Sequence, residues 1–315
     1  HAKVAKDHGI RAAVKFQFRQ LDTFIHPDFK SAKDIKHIPR FLETRISHSE
    51  FQKLFEAVKR EGLLTICTPF DEDSVPLIEE MGFDIIKVAS CSAKDWPLLE
   101  RVAQTNLPVV FSTGSLLIND IDKFVSFAEH RALDFAIMHC VSIYPTPSES
   151  CNLRNIAMMK QRYPGRAIGW STHESPDDTN AVKIALALGA DIFERHIGLP
   201  TDEISLNAYS SNPLQAGLWY EAFHEAKKLC GYFDRQPPET RETQSILELK
   251  RGVFTRKKKF KGDKLTRADV YFAMPCADGQ LSSGQFSDGM VLTENIKVND
   301  AIKERIVEAK RRDFS

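Results

Sequence analysis

Seven short, nearly continuous apolar runs punctuate the first 200 residues: 12–18 (AAVKFQF), 63–70 (LLTICTPF), 84–90 (DIIKVAS), 108–114 (PVVFSTG), 134–140 (DFAIMHC), 166–172 (RAIGWST) and 191–196 (DIFERH). They are rich in β-branched residues and do not alternate with polar ones. Strands covered on both faces of a parallel sheet read this way. Between them, apolar residues recur at three- and four-residue spacing over 49–61, 96–106, 119–132, 152–163, 177–188 and 213–230. That is the period of helices with one buried face. Ser49 and Gln52 are expected to form a capping box for the first of these, and Gly62 to stop it. Asp177 and Asp178 fall where the first turn of 177–188 would gain from negative charge. Residues 1–9 read as the end of a helix closed by Gly9, which implies a preceding segment.

The series predicts an α/β fold, an eight-stranded (β/α)8 TIM barrel whose first strand is missing from the chain. A doubly wound open sheet is the alternative. Polar residues at the C-terminal ends of nearly all strands favour the barrel, because a switch-point site would gather them at one or two crossings. After residue 231 the texture changes. The expected organisation is a barrel domain over 1–232, a polar linker over 233–248 with Pro237-Pro238, and a small domain over 249–315. The small domain shows strand-like pieces at 252–256 and 289–296 and a closing helix over 298–312.

Composition narrows the function classes. Lys+Arg and Asp+Glu both number 43, so no net charge draws the chain to nucleic acid or an anionic membrane. No apolar run approaches the roughly 18 residues of a membrane span, and no signal peptide is visible. The six cysteines show no CxxC spacing, which predicts reduced thiols and a cytoplasmic location.

In a barrel, polar residues at strand C-termini line the active-site mouth. They are Lys15 and Gln17, Thr68, Lys87 and Ser90, Ser112 and Thr113, Ser142 and Tyr144, Ser171 and His173, and Glu194 and His196. Lys15 and Lys87 sit inside apolar strands, where an unpaired ammonium costs several kcal/mol. They are expected to face an anion, with hydroxyls completing a cradle for phosphate or carboxylate. Pairing with Glu194 is the bland alternative. His173 and His196 end consecutive strands, so two imidazoles can converge on one ion, against the plainer reading of two hydrogen-bonded core rings. Two neutral histidines with no thiolate nearby suit a divalent ion that keeps water or substrate oxygens, such as Mn²⁺, with Mg²⁺ also possible. His139 reads as structural. Lys87 also raises a Schiff-base aldolase, which would need a strongly lowered pKa.

The motifs KxQ at Lys15–Gln17, CTPF at 67–70, IKVAS at 86–90, FSTG at 111–114, HCVSIYPTP at 139–147, GWSTHE at 169–174 and ERH at 194–196 occur in the order of the N-acetylneuraminate (sialic acid) synthase family. Residues 12–213 resemble that family, closest to its spore coat polysaccharide biosynthesis protein E branch. The tail resembles the family's small antifreeze-like (SAF) domain. The resemblance implies condensation of phosphoenolpyruvate with an N-acetylmannosamine-like aldose, giving a sialic-acid-like nonulosonic acid for surface or spore-coat polysaccharide. It implies Mn²⁺ on His173 and His196. It places Lys15, Thr68, Lys87, Ser90, Ser112, Tyr144 and Ser171 around phosphoenolpyruvate, with Ser142 beside them and Gln17 near metal and substrate. Lys15, Gln17, Lys87 and Tyr144 are the catalytic candidates. It also implies a homodimer in which the C-terminal domain caps the partner's barrel.

Several positions depart from the family pattern. The family's glutamate on strand one lies ahead of residue 1. A second glutamate is Ser92 here, an asparagine is Ser142, the stretch 201–213 is altered, and the tail arginine that reaches the sugar is Met274. The donor and metal positions are kept and the sugar-contacting ones are not. The acceptor is therefore expected to differ, and a catalytically silent paralogue serving as a scaffold in polysaccharide assembly is the alternative.

Overall fold

The computed structural model describes residues 1–203 and 205–308. Seven parallel strands form one sheet: β1 (Ala13–Phe18), β2 (Leu64–Pro69), β3 (Ile85–Val88), β4 (Val109–Ser112), β5 (Phe135–Cys140), β6 (Ala167–Ser171) and β7 (Ile192–Glu194). Their spatial order is their chain order, β1 to β7, and each pair is parallel. A doubly wound sheet would reverse direction at a switch point. The monotonic order instead makes a curled, TIM-like half-barrel with β1 and β7 as its edges.

The helices are α1 (Ala2–Asp7), α2 (Leu21–Phe24), α3 (His37–Glu43), α4 (His48–Arg60), α5 (Ser74–Met81), α6 (Trp96–Ala103), α7 (Ile118–His130), α8 (Arg154–Arg162), α9 (Asn180–Ala187), α10 (Pro213–Cys230) and α11 (Thr240–Leu249). Outward positions on the strands, among them Cys67, Ile86, Phe111, Ile137 and Trp170, are fully buried against the helices. Inward positions change character along each strand. Ile85, Val110, Ala136, Met138, Ala167 and Ile192 make a small apolar plug. Above it the same faces carry Gln17, Thr68, Lys87, Ser112, Ser171 and Glu194. The two-residue strand period thus places the polar set on one rim.

Several expectations fail for identifiable reasons. The box that caps α4 is Ser47 with Glu50, not Ser49 with Gln52, because both reciprocal bonds form two residues earlier. Asp177 and Asp178 precede α9, where the Asp178 carboxylate accepts from Asn180 N at 2.7 Å. The stretch 233–248, expected as a linker, contains most of α11, which has no buried residue. The closing helix expected over 298–312 does not form over 298–308. Ile302 N instead donates to Val253 O, and the Ile302 carbonyl accepts from Leu281 N. Pairing with neighbouring strands overrides the local helical pattern. Residues 309–312 of that expectation lie outside the described residues.

The chain divides into two compact units, His1–Gly231 and the residues from Tyr232 onward. The second has its own core, centred on Val253, Leu265, Val270, Leu292 and Ile302. Its strands are β8 (Gly252–Thr255) with β9 (Val270–Ala273), and β10 (Val291–Leu292) with β11 (Val307–Glu308), both antiparallel. No helix among the described residues is long and apolar enough to cross a membrane.

Candidate functional site

Glu194, at the end of β7, organises the barrel mouth. One carboxylate oxygen accepts from Lys15 Nζ at 2.7 Å and the other from Lys87 Nζ at 2.6 Å. Ser171 Oγ, its register partner on β6, donates to the first oxygen at 3.0 Å. Burial alone would raise the Glu194 pKa, but Lys87 and then Lys15 outweigh it and hold the group well below the usual carboxylate range. Burial pulls Lys87 below the usual lysine range, against the opposing attraction of Glu194. The ammonium bonded to a carboxylate is not the free amine an imine would need. The two lysines therefore face the carboxylate that was the bland reading, and the group keeps one surplus positive charge. An ammonium has three donors, so each lysine retains two for an incoming anion.

The loops beyond β6 and β7 bring the histidines together, with ring centres 5.2 Å apart. His173 Nδ1 lies 2.9 Å from Val141 O. A carbonyl can only accept, so Nδ1 carries the proton and Nε2 keeps a free lone pair. Burial lowers both imidazoles, His196 to about 4, so both are neutral at pH 7. Tyr144 lies 4.3 Å from the His173 ring and Tyr209 5.0 Å from that of His196. Among the described residues no group of three or more His, Cys, Asp or Glu is placed to hold a metal ion. The donor set is thus two neutral imidazoles, that of His173 oriented by the Val141 carbonyl, which fits an ion completed by oxygens from water or substrate.

The remaining predicted residues take distinct places. Ser90 Oγ accepts from Gly114 N at 2.9 Å. A Cβ on Gly114 would collide with Ser142 Oγ and come within 2.7 Å of Ser90 Oγ, so this glycine keeps a polar niche open. Burial raises the Tyr144 phenol while the Ser142 hydroxyl beside it works the other way. Thr68 is buried and its hydroxyl has no partner among the described residues. Ser112 is buried on the inward face of β4. Gln17 is exposed at the rim and accepts from Arg19 Nη2 at 3.0 Å. His139 is structural: its Nε2 donates to Cys151 O at 2.8 Å and its ring stacks on Trp170.

Behind the histidines lies a buried ion pair that the sequence did not suggest. Arg195 Nη1 donates to Glu174 Oε1 at 2.9 Å, with both side chains almost fully buried. Arg195 Nε also donates to Ser211 Oγ, and Nη2 to Ser175 O. Tyr209 was missed as well. Its position depends on the return of the 198–211 loop, pinned by Ser211 N to His196 O and Gly198 N to Ser211 O, and no periodicity announces that.

The family model described as "NeuB family" matches residues 2–232. The crystal structure of a protein assigned as spore coat polysaccharide biosynthesis protein E from Chromobacterium violaceum superposes with a TM-score of 0.94 at 42% identity, covering 98% of this chain and 94% of that one. An uncharacterized protein of Methanocaldococcus jannaschii is 30% identical over 84% of this chain and 76% of its own. The N-acetylneuraminate-9-phosphate synthase of Drosophila melanogaster is 33% identical over 59% of this chain. The match spans about half of that enzyme, 49%.

Proposed function

The chain belongs to the NeuB family, and we propose that its barrel mouth is the site of a nonulosonic acid synthase. In this reading it joins phosphoenolpyruvate to the aldehyde of an N-acetylated amino-sugar aldose. C3 of the enolpyruvate attacks the aldehyde carbon and forms the new C–C bond, and the aldehyde oxygen takes up a proton. Water adds at C2, and loss of phosphate from that carbon leaves the 2-keto acid.

One observation carries the reading: a cationic cluster and a pair of neutral imidazoles share one rim. Lys15 and Lys87 would hold the donor's phosphate and carboxylate through the N–H groups that Glu194 leaves free. Thr68, Ser112 and the niche at Gly114, Ser90 and Ser142 would supply further hydrogen bonds. His173 and His196 would hold a divalent ion, Mn²⁺ or Mg²⁺. Such an ion, when bound, stabilises the negative charge that develops on the aldehyde oxygen. Tyr144 and Tyr209 would wall the acceptor in and limit water. We further read the second unit as an antifreeze-like domain acting in a homodimer.

The test is phosphate release from phosphoenolpyruvate by the full-length protein, with Mn²⁺ and a panel of N-acetylated hexosamines. Release with at least one aldose is expected, and loss of both release and Mn²⁺ binding in His173→Ala. Donor binding without release for any aldose would leave the scaffold reading, which is motivated by Ser92 and Met274 at positions where the family resemblance expects Glu and Arg.

A further inference from the structure

The second unit carries a cationic group that the chemistry above does not use. β8 ends beside the start of β9, with Thr255 opposite Val270 in the antiparallel register. Arg256 follows β8 directly, and Arg267 stands in the turn just ahead of β9. The pairing brings their guanidinium groups to one backbone oxygen. Arg256 Nε and Arg267 Nη1 each donate to Val270 O at 3.0 Å. The next two residues of β9 then support them. The Arg256 guanidinium lies 5.6 Å from the ring centre of Tyr271, and that of Arg267 lies 4.3 Å from the ring centre of Phe272. Both arginines are exposed.

Two fixed positive charges thus meet without a counter-charge. Among the described residues neither arginine pairs with a carboxylate. The adjoining carboxylate, Asp269, is buried, held by Lys257 and Lys259, and accepts from the Thr266 amide and hydroxyl. A guanidinium has five N–H donors in a planar fork that suits two oxygens of one anion. Each arginine spends one N–H on Val270, so most of both forks stays open. The shared carbonyl and the ring faces already restrict the two side chains, so less freedom is lost when an anion binds. A carboxylate brings one charge and two oxygens, enough for one fork. A phosphate group brings about 1.5–2 negative charges at pH 7 and at least three acceptor oxygens, which matches both.

We propose that Arg256 and Arg267 form a binding site for a phosphate group, carried by a small phosphorylated metabolite or free as inorganic phosphate. Two forks closing on one phosphate would tie the end of β8 to the turn ahead of β9, so the ligand would stabilise this corner of the unit by mass action. The site belongs to the second unit's own sheet and does not rest on the synthase reading of the barrel.

Amide chemical shifts of residues 253–273 in the full-length protein test this, titrated at constant ionic strength with inorganic phosphate, a hexose 6-phosphate, phosphoenolpyruvate and acetate. Saturating shifts at Arg256, Arg267 and Val270–Phe272 are expected with at least one phosphate probe, at an affinity about tenfold or more above that for acetate. The tightest of the three phosphate probes identifies the source. Arg256→Gln with Arg267→Gln is expected to weaken phosphate about tenfold or more, while the amides of Leu292 and Ile302 in the unit's core keep their shifts. If that double variant does not fold, Arg267→Lys decides. It keeps the charge, drops the fork and is expected to cut the preference over acetate about threefold or more. No saturation with any phosphate probe, equal affinity for acetate, or a preference unchanged in the variants overturns the site.

Discussion

A lysine inside an apolar strand needs a counter-charge, and here one carboxylate serves two. Lys87 is almost fully buried, Lys15 is 22% exposed, and Glu194 reaches solvent through the mouth at 20%. Removing one partner of a buried ion pair costs about 3–5 kcal/mol, because the other charge stays behind. Glu194→Gln leaves two ammonium groups around a neutral amide and is expected to lose stability in that range by urea denaturation. Ser171→Ala removes a single bond to the same carboxylate and should cost about 1 kcal/mol. A cost below 1 kcal/mol for Glu194→Gln would show that the lysines do not depend on it. At this scale Lys15, Lys87, His173 and His196 were legible because a charge or an imidazole at the end of an apolar run contradicts its surroundings. Glu194 was visible only as an alternative partner.

Strands and their order were readable to within about two residues at most ends, because runs apolar on both faces admit few other interpretations. Several short helices were not, and α2, α3, α5 and α11 had no counterpart in the reading. The closing helix expected there gives way, over 298–308, to hydrogen bonds with neighbouring segments. What the element scale adds is how β6 and β7 hold their histidines. Glu174 directly follows His173 and Arg195 directly precedes His196, so their ion pair ties the two strand ends from behind the mouth. Arg195 also grips the Ser211 hydroxyl, which belongs to the loop that carries Tyr209. These side chains act through the histidines and do not face the rim. On the metal reading, Glu174→Gln and Arg195→Met should each weaken Mn²⁺ affinity about tenfold, as loss of an orienting partner commonly does. Electron paramagnetic resonance of free Mn²⁺ measures this without turnover. Phosphoenolpyruvate affinity, which draws on Lys15 and Lys87, should change much less. A parallel loss of both affinities would mean general unfolding of the rim.

At the scale of the whole molecule, two units with separate cores imply two separable responses to acid. In the second unit Asp269 is almost fully buried beneath Lys257 at 2.8 Å and Lys259 at 3.0 Å. It also accepts from the Thr266 amide and hydroxyl. Residues 256–259 are all basic (RKKK), and two of them, Lys257 and Lys259, thus pair inside their own unit. Burial works to raise the Asp269 pKa, but Lys257, Lys259 and the Thr266 bonds overcome it and hold the group well below its ordinary value of 3.8. A carboxylate depressed in the folded state contributes stability that is complete above its unfolded value. That contribution fades as pH falls below about 3.8 toward the folded value. Amide protection over 252–308 should therefore fall between pH 5 and pH 2.5 in the wild-type protein. Asp269→Asn should begin lower, by about 1–3 kcal/mol for lost charge-assisted hydrogen bonds, and should fall much less over the same window. Protection in the β1–β7 sheet should not register the substitution, because Asp269 contributes to a core that the sheet does not share. An equal loss in both units would show that they fold as one.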